Sequence, residues 1–124
     1  MPYASYLLQE VPGRFDVYAP NLTSLPAESF REAIAIETFY APKVTSIGNN
    51  SFDMSEHASK LRNAVFPLCT SVGSTVFEDC ASLTNAELAV TSLGNSYVFN
   101  KCYALESLKT RPLTSIGPYA LSNC

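Results

Sequence analysis

Thr70-Ser71-Val72-Gly73-Ser74-Thr75-Val76-Phe77-Glu78-Asp79-Cys80-Ala81-Ser82-Leu83 decides the fold, because the chain writes it repeatedly. Thr-Ser stands at Thr23-Ser24, Thr45-Ser46, Thr70-Ser71, Thr91-Ser92 and Thr114-Ser115, at intervals of 22, 25, 21 and 23 residues. An aliphatic residue follows each pair (Leu25, Ile47, Val72, Leu93, Ile116), and Leu22, Val44, Cys69, Val90 or Leu113 precedes it. Glycine comes next four times (Gly48, Gly73, Gly94, Gly117), with Pro26 in the fifth place. Six or seven residues after the serine stands Phe30, Phe52, Phe77, Phe99 or Leu121. A fixed period of this length marks stacked units that share one core.

Working outward, apolar residues follow the Phe at every third position: Ala33 and Ile36, Cys80 and Leu83, Cys102 and Leu105. That spacing fits a single helical turn with one apolar face. Then comes Leu-x-x-apolar-x-apolar, as in Leu61, Ala64, Phe66 and Leu83, Ala86, Leu88, with Leu105, Leu108 and Thr110 as the weakest copy. Its final alternation is that of a short strand with one buried face. The Thr-Ser-aliphatic-Gly segment predicts a turn in which glycine supplies positive φ and the hydroxyls satisfy backbone groups. Like positions in successive units stack one strand spacing apart, about 4.8 Å, in a parallel sheet with right-handed connections. The fold class is therefore α/β and β-rich: one right-handed solenoid of about five rungs of 21–25 residues. A parallel β-sheet forms one face and short helical turns the other.

The single domain divides at 1–18 (a partial repeat), 19–40, 41–65, 66–86, 87–109 and 110–124, the last incomplete. Leu8-Gln9-Glu10-Val11 mirrors Phe30-Arg31-Glu32-Ala33, and Val17-Tyr18-Ala19-Pro20 mirrors Phe39-Tyr40-Ala41-Pro42, so the chain opens inside a repeat. Neither end has the polar capping unit that solenoids carry. Leu7, Leu8, Val11, Leu113, Ile116 and Leu121 are thus expected to be partly exposed or covered by a neighbour.

Composition removes whole classes of function. Hydrophobic residues are 47% of 124, charged ones only 15%, and the net charge is −3. No basic footprint exists for nucleic acid, and no apolar run is long enough to insert in a membrane as a helix. Met1-Pro2-Tyr3-Ala4-Ser5 has no base ahead of an apolar stretch, so no secretory signal is read there.

The pattern Leu-Thr-Ser-Ile-Gly-x-x-x-Leu/Phe-x-x-Cys-x-x-Leu resembles the BspA-type leucine-rich repeat, a family of surface proteins from gut and oral bacteria, some protists and phages. Residues 70–83 and 113–124 carry it best, and it runs over about residues 8–124. Ala33 and Ser55 stand where the family has Cys, and Pro26 where it has Gly. The resemblance implies a leucine-rich-repeat solenoid and an adhesive or ligand-binding role outside the cell, on its surface or on a virion.

Candidate chemistry is sparse. Cys80, Cys102 and Cys124 repeat at intervals of 22 and 22, one above another between core-facing residues. They read as free buried thiols, with a disulfide as the alternative. No Cys-x-x-Cys exists for zinc or redox chemistry, no clustered glycines for phosphate and no calcium loop; no cofactor or metal is expected. His57, the only histidine, falls in Asp53-Met54-Ser55-Glu56-His57-Ala58-Ser59-Lys60, an insertion expected to bulge outward, away from the thiols. That argues against a Cys-His catalyst. Asn21-Leu22-Thr23 and Asn49-Asn50-Ser51 match the short glycosylation pattern, which occurs often by chance.

The outward strand positions carry the functional expectation. With Val17, Phe39, Ala64, Ala86 and Leu108 pointing in, Tyr18, Tyr40, Val65, Glu87 and Lys109 form an exposed ladder, the candidate ligand-binding face. A second outward row is Asp16, Thr38, Asn63, Asn85 and Ser107. Tyrosine gives large contact area and a polar tip, and it also suits strands by propensity alone. Three functions follow: a non-enzymatic module binding protein or glycan, a structural spacer that forms end-to-end homo-oligomers, or a thiol enzyme, which the inward cysteines disfavour.

Overall fold

The computed structural model describes residues 15–54, 58–94, 97–117 and 119–124. The chain forms ten short strands: β1 (Phe15–Tyr18), β2 (Ser24–Leu25), β3 (Ile36–Tyr40), β4 (Ser46–Ile47), β5 (Asn63–Val65), β6 (Ser71–Val72), β7 (Asn85–Glu87), β8 (Ser92–Leu93), β9 (Ser107–Lys109) and β10 (Ser115–Ile116). The odd-numbered strands make one five-stranded sheet in the order β1-β3-β5-β7-β9. Every pairing is parallel, between strands one repeat apart. The Thr-Ser segments build a second wall, split into β2-β4-β6 and β8-β10. The split falls across the shortest interval, the 21 residues from Thr70 to Thr91.

Two expectations need correction. Five front strands delimit four complete turns, not five rungs, because nothing described pairs beyond β1 or β9. The rear segments are not helical: among the described residues there is no helix. Alternate N–H groups reach across to the next rung, as in Phe30 N to Ser51 O (2.9 Å), Phe52 N to Val76 O (2.8 Å) and Phe77 N to Val98 O (2.8 Å). Bonds across three residues alternate with these, for example Ala33 N to Phe30 O and Cys80 N to Phe77 O. The result is a chain of linked β-turns. Three of the turns over the Phe-x-x-Cys position have the third residue left-handed: Glu32 (φ 58°), Asp79 (φ 60°) and Lys101 (φ 63°). A three-residue apolar period suits both a helical turn and this arrangement, and the cross-rung bonds favour the latter.

Left-handed lysine is unfavourable by about 1 kcal/mol relative to an ordinary conformation. Lys101→Gly should therefore raise stability by about 0.5–1 kcal/mol. Lys101→Val, β-branched at the same φ, should lower it. Urea unfolding midpoints of the two variants check the pair.

The core follows the inward positions. Phe39, Ala64 and Ala86 are buried, while Val17 and Leu108 at the two ends are partly so. Behind them Phe30, Phe52, Phe77 and Phe99 stack face to face, with centroids 5.6, 5.4 and 5.2 Å apart. Phe39 and Phe66 close against this spine from the sheet side. Hydroxyls bridge rungs as well as turns: Thr114 Oγ1 donates to Thr91 O (3.1 Å), and the Ser51 hydroxyl donates to Gly48 O (2.7 Å).

Candidate ligand-binding face

The front sheet sets its side chains in columns along the solenoid axis. Register pairs Tyr18 with Tyr40, Tyr40 with Val65, Val65 with Glu87 and Glu87 with Lys109. All five expected ladder residues therefore stand in one uninterrupted column. Its exposure is uneven: Tyr18 (71%) and Lys109 are exposed, whereas Tyr40, Val65 and Glu87 are half-buried. Inner members are flanked on both sides, and end members on one. The Tyr18 and Tyr40 rings meet edge to face, centroids 5.2 Å apart and planes at 87°.

Beside it runs the second expected row, and it is tied together. Asn63 Nδ2 donates to Thr38 Oγ1 (3.2 Å), and Asn85 Nδ2 donates to Asn63 Oδ1 (3.0 Å). Stacking amides in register satisfies donors with the neighbouring rung and joins Thr38, Asn63 and Asn85 in a polar strip that ends at the exposed Asp16 beside Tyr18. The face thus offers aromatic area at one end, an acid and a base at the other, and a row of amides and hydroxyls alongside.

A second tyrosine pair lies outside the strand pattern and was missed by it. Tyr97 and Tyr119 stack with centroids 4.9 Å apart and planes at 4°, on the rear turns. Both are left-handed (φ 62° and 60°) and exposed. The repeat held the signal, since each stands two residues before the Phe99 or Leu121 landmark. Tyr103 (64% exposed) and Leu68 (50%) are further isolated surface apolar groups.

The thiols are free, as expected, with one correction: Cys69, Cys80 and Cys102 are buried, but Cys124 is exposed. Each stacked thiol donates to a Phe carbonyl of the preceding rung: Cys80 to Phe52 O (3.2 Å), Cys102 to Phe77 O (3.1 Å), Cys124 to Phe99 O (3.1 Å). Burial pushes the thiols of Cys80 and Cys102 well up, and raises Cys69 from 9.0 to about 11 despite a hydrogen bond to Ser71 O. Thiolate is the nucleophile, so these sulfurs are suppressed rather than activated. A thiol raised on folding adds stability that is complete below its unfolded pKa and is lost as pH climbs to the folded value. Stability should accordingly fall between pH 9.0 and about 11. Cys69→Val should flatten part of that fall, valine already filling the equivalent positions Val44 and Val90. Denaturant midpoints against pH read the difference.

His57 and Ser55 lie outside the described residues, as do Leu7, Leu8 and Val11. At the other end Ile116 (54%) and Leu121 (38%) are exposed as expected, and Leu113 is partly buried. Asn21 is exposed, but the Ser51 of the other glycosylation pattern is buried and its hydroxyl is engaged. Among the described residues no group of acids, cysteines or histidines is arranged to hold a metal ion. No described helix is long and apolar enough to cross a membrane.

Comparison with known proteins returns one finding. A family profile described as "BspA type Leucine rich repeat region" matches six copies across residues 18–124. No curated protein and no solved structure matches the chain. The matched span contains nearly all of the strand columns, the Phe spine and the cysteine stack, and the chain belongs to the BspA-type leucine-rich repeat family.

Proposed function

We propose that the chain is a non-enzymatic binding module, displayed outside a cell or on a virion, that takes a protein or glycan ligand on its front sheet. The contact residues are Tyr18, Tyr40, Val65, Glu87 and Lys109. The observation that carries this reading is the tyrosine pair at the exposed end of the column: Tyr18 is 71% exposed and held edge-on by Tyr40. Anchored aromatics of this kind are enriched where binding energy concentrates. Membership of a family commonly found in surface repeat proteins, typically without catalytic activity, supports the role and the location.

The test is a screen of the 124-residue chain against a glycan array and a panel of immobilised extracellular proteins, followed by variants. Tyr18→Ser with Tyr40→Ser should weaken a hit by about tenfold or more. The rear pair Tyr97→Ser with Tyr119→Ser should leave it unchanged. Unaltered binding in a folded front-face variant rejects the reading.

A second reading, a structural segment that associates with itself, is favoured by one observation. Ile116 and Leu121 are exposed on the β9 side, and β9 has one neighbour among the described residues.

A further inference from the structure

We propose that Asn21 is an acceptor for an N-linked glycan and that Asn49, which stands in the same short pattern, is not. The proposal rests on the part of the binding reading that puts the chain outside a cell, and on nothing about its ligand. Asn21-Leu22-Thr23 and Asn49-Asn50-Ser51 both satisfy Asn-x-Ser/Thr, so the pattern alone does not separate them. Transfer of a bulky glycan needs an accessible asparagine amide, an accessible hydroxyl two residues on, and backbone that can enter an enzyme without breaking the fold.

The first segment meets these needs. Asn21 and Thr23 are exposed, and Asn21 lies in the turn between β1 and β2, outside any strand. Among the described residues no backbone hydrogen bond holds Asn21 or Leu22. Lys43 and Leu68 are the equivalent residues, each two before the Thr of its Thr-Ser pair. Each has a rung on either side and is nevertheless exposed. The exposure of Asn21 is therefore a property of this corner in complete rungs as well. The corner belongs to neither the front sheet nor the Thr-Ser wall, so a glycan there displaces no strand pairing.

The second segment is locked. Asn49 is itself exposed, but its Oδ1 accepts from Ser74 N (2.8 Å) and its carbonyl from Glu28 N (2.9 Å), which ties it to the rungs on both sides. Asn50 is left-handed (φ 60°) and donates its N–H to Ser74 O (3.1 Å). Ser51 is buried, its hydroxyl donates to Gly48 O, and its carbonyl accepts from Phe30 N (2.9 Å). Presenting this segment to an enzyme would take adjoining rungs apart.

In the transfer, the side-chain nitrogen of Asn21 bonds to the anomeric carbon of an oligosaccharide carried on a lipid pyrophosphate. The bond from that carbon to the pyrophosphate oxygen breaks, the lipid pyrophosphate leaves, and the nitrogen gives up one proton. Secretion of the 124-residue chain from yeast behind a cleavable leader tests the proposal. Peptide mass spectrometry of the folded, soluble product, before and after endoglycosidase treatment, reads each asparagine. The expected result is one N-linked glycan, on Asn21. Asn21→Gln and Thr23→Ala should each lose it, while Thr23→Ser and Asn49→Gln should keep it. Folded product that is bare at Asn21, or that carries a glycan on Asn49, overturns the proposal. Either result leaves the binding reading standing, since that reading is decided by the ligand screen and its Tyr18 and Tyr40 variants.

Discussion

Phe52→Ala is expected to lower stability by about 3–5 kcal/mol, as large buried aromatic truncations do. A domain of this size has only about 5–15 kcal/mol in total. Phe52 is fully buried, stacked between Phe30 and Phe77 and edge-on to Phe39. Its removal opens a void in the middle of the spine, where rungs on both sides are held in hydrogen-bond register and resist collapse. Leu121→Ala, at the equivalent position of the last rung, should cost under about 1 kcal/mol because that side chain is already 38% exposed. Urea midpoints of the two variants measure the contrast. Equal losses would mean that the stacked rings contribute no more than a half-exposed leucine.

The second large effect concerns the glycines. A Cβ at Gly48 would stand 2.5 Å from Ala27 N and 2.8 Å from Ala27 Cα, backbone atoms of the preceding rung. At Gly117 it would stand 2.6 Å from Gly94 O. Backbone held by cross-rung bonds does not yield cheaply, so Gly48→Ala should destabilise by about 1–3 kcal/mol. Gly94→Ala should be nearly neutral, since among the described residues only Ser92 Oγ lies near, at 3.4 Å. Thermal unfolding of the two proteins decides it. A neutral Gly48→Ala would show that the Thr-Ser wall can open without loss.

These glycines illustrate what was legible and what was not. Their spacing marks the repeat, but the expected reason, positive φ in a turn, is wrong. Gly48, Gly73 and Gly117 are needed for close approach between rungs. Positive φ falls on non-glycine residues of the rear turns instead, such as Glu32, Asp79 and Lys101. Spacing reports where a residue recurs and not which atom faces it, so one pattern carried two explanations. The same ambiguity made the rear turns read as helical.

Strand register was the most legible element. A period-two alternation repeated at fixed intervals leaves one way to align Val17, Phe39, Ala64, Ala86 and Leu108, and the pairing follows it. The candidate face follows directly, because outward positions are set by inward ones. Its uneven exposure depends on lateral neighbours, which a linear pattern does not encode. Tyr97 and Tyr119 lie on turns, where no alternation marks which side chains face outward.

The cross-rung hydrogen bonds bear on how fast such a chain reaches its native state. With no helix among the described residues, the strands and alternate groups of the rear turns find their backbone partners one rung away rather than close by in sequence. Early nucleation is therefore slow, as for other sheet proteins. Yet the loop to be closed stays one rung long wherever it forms. Once two rungs have met, each later one docks on a finished template, so a longer array would meet the same closure entropy at each added rung.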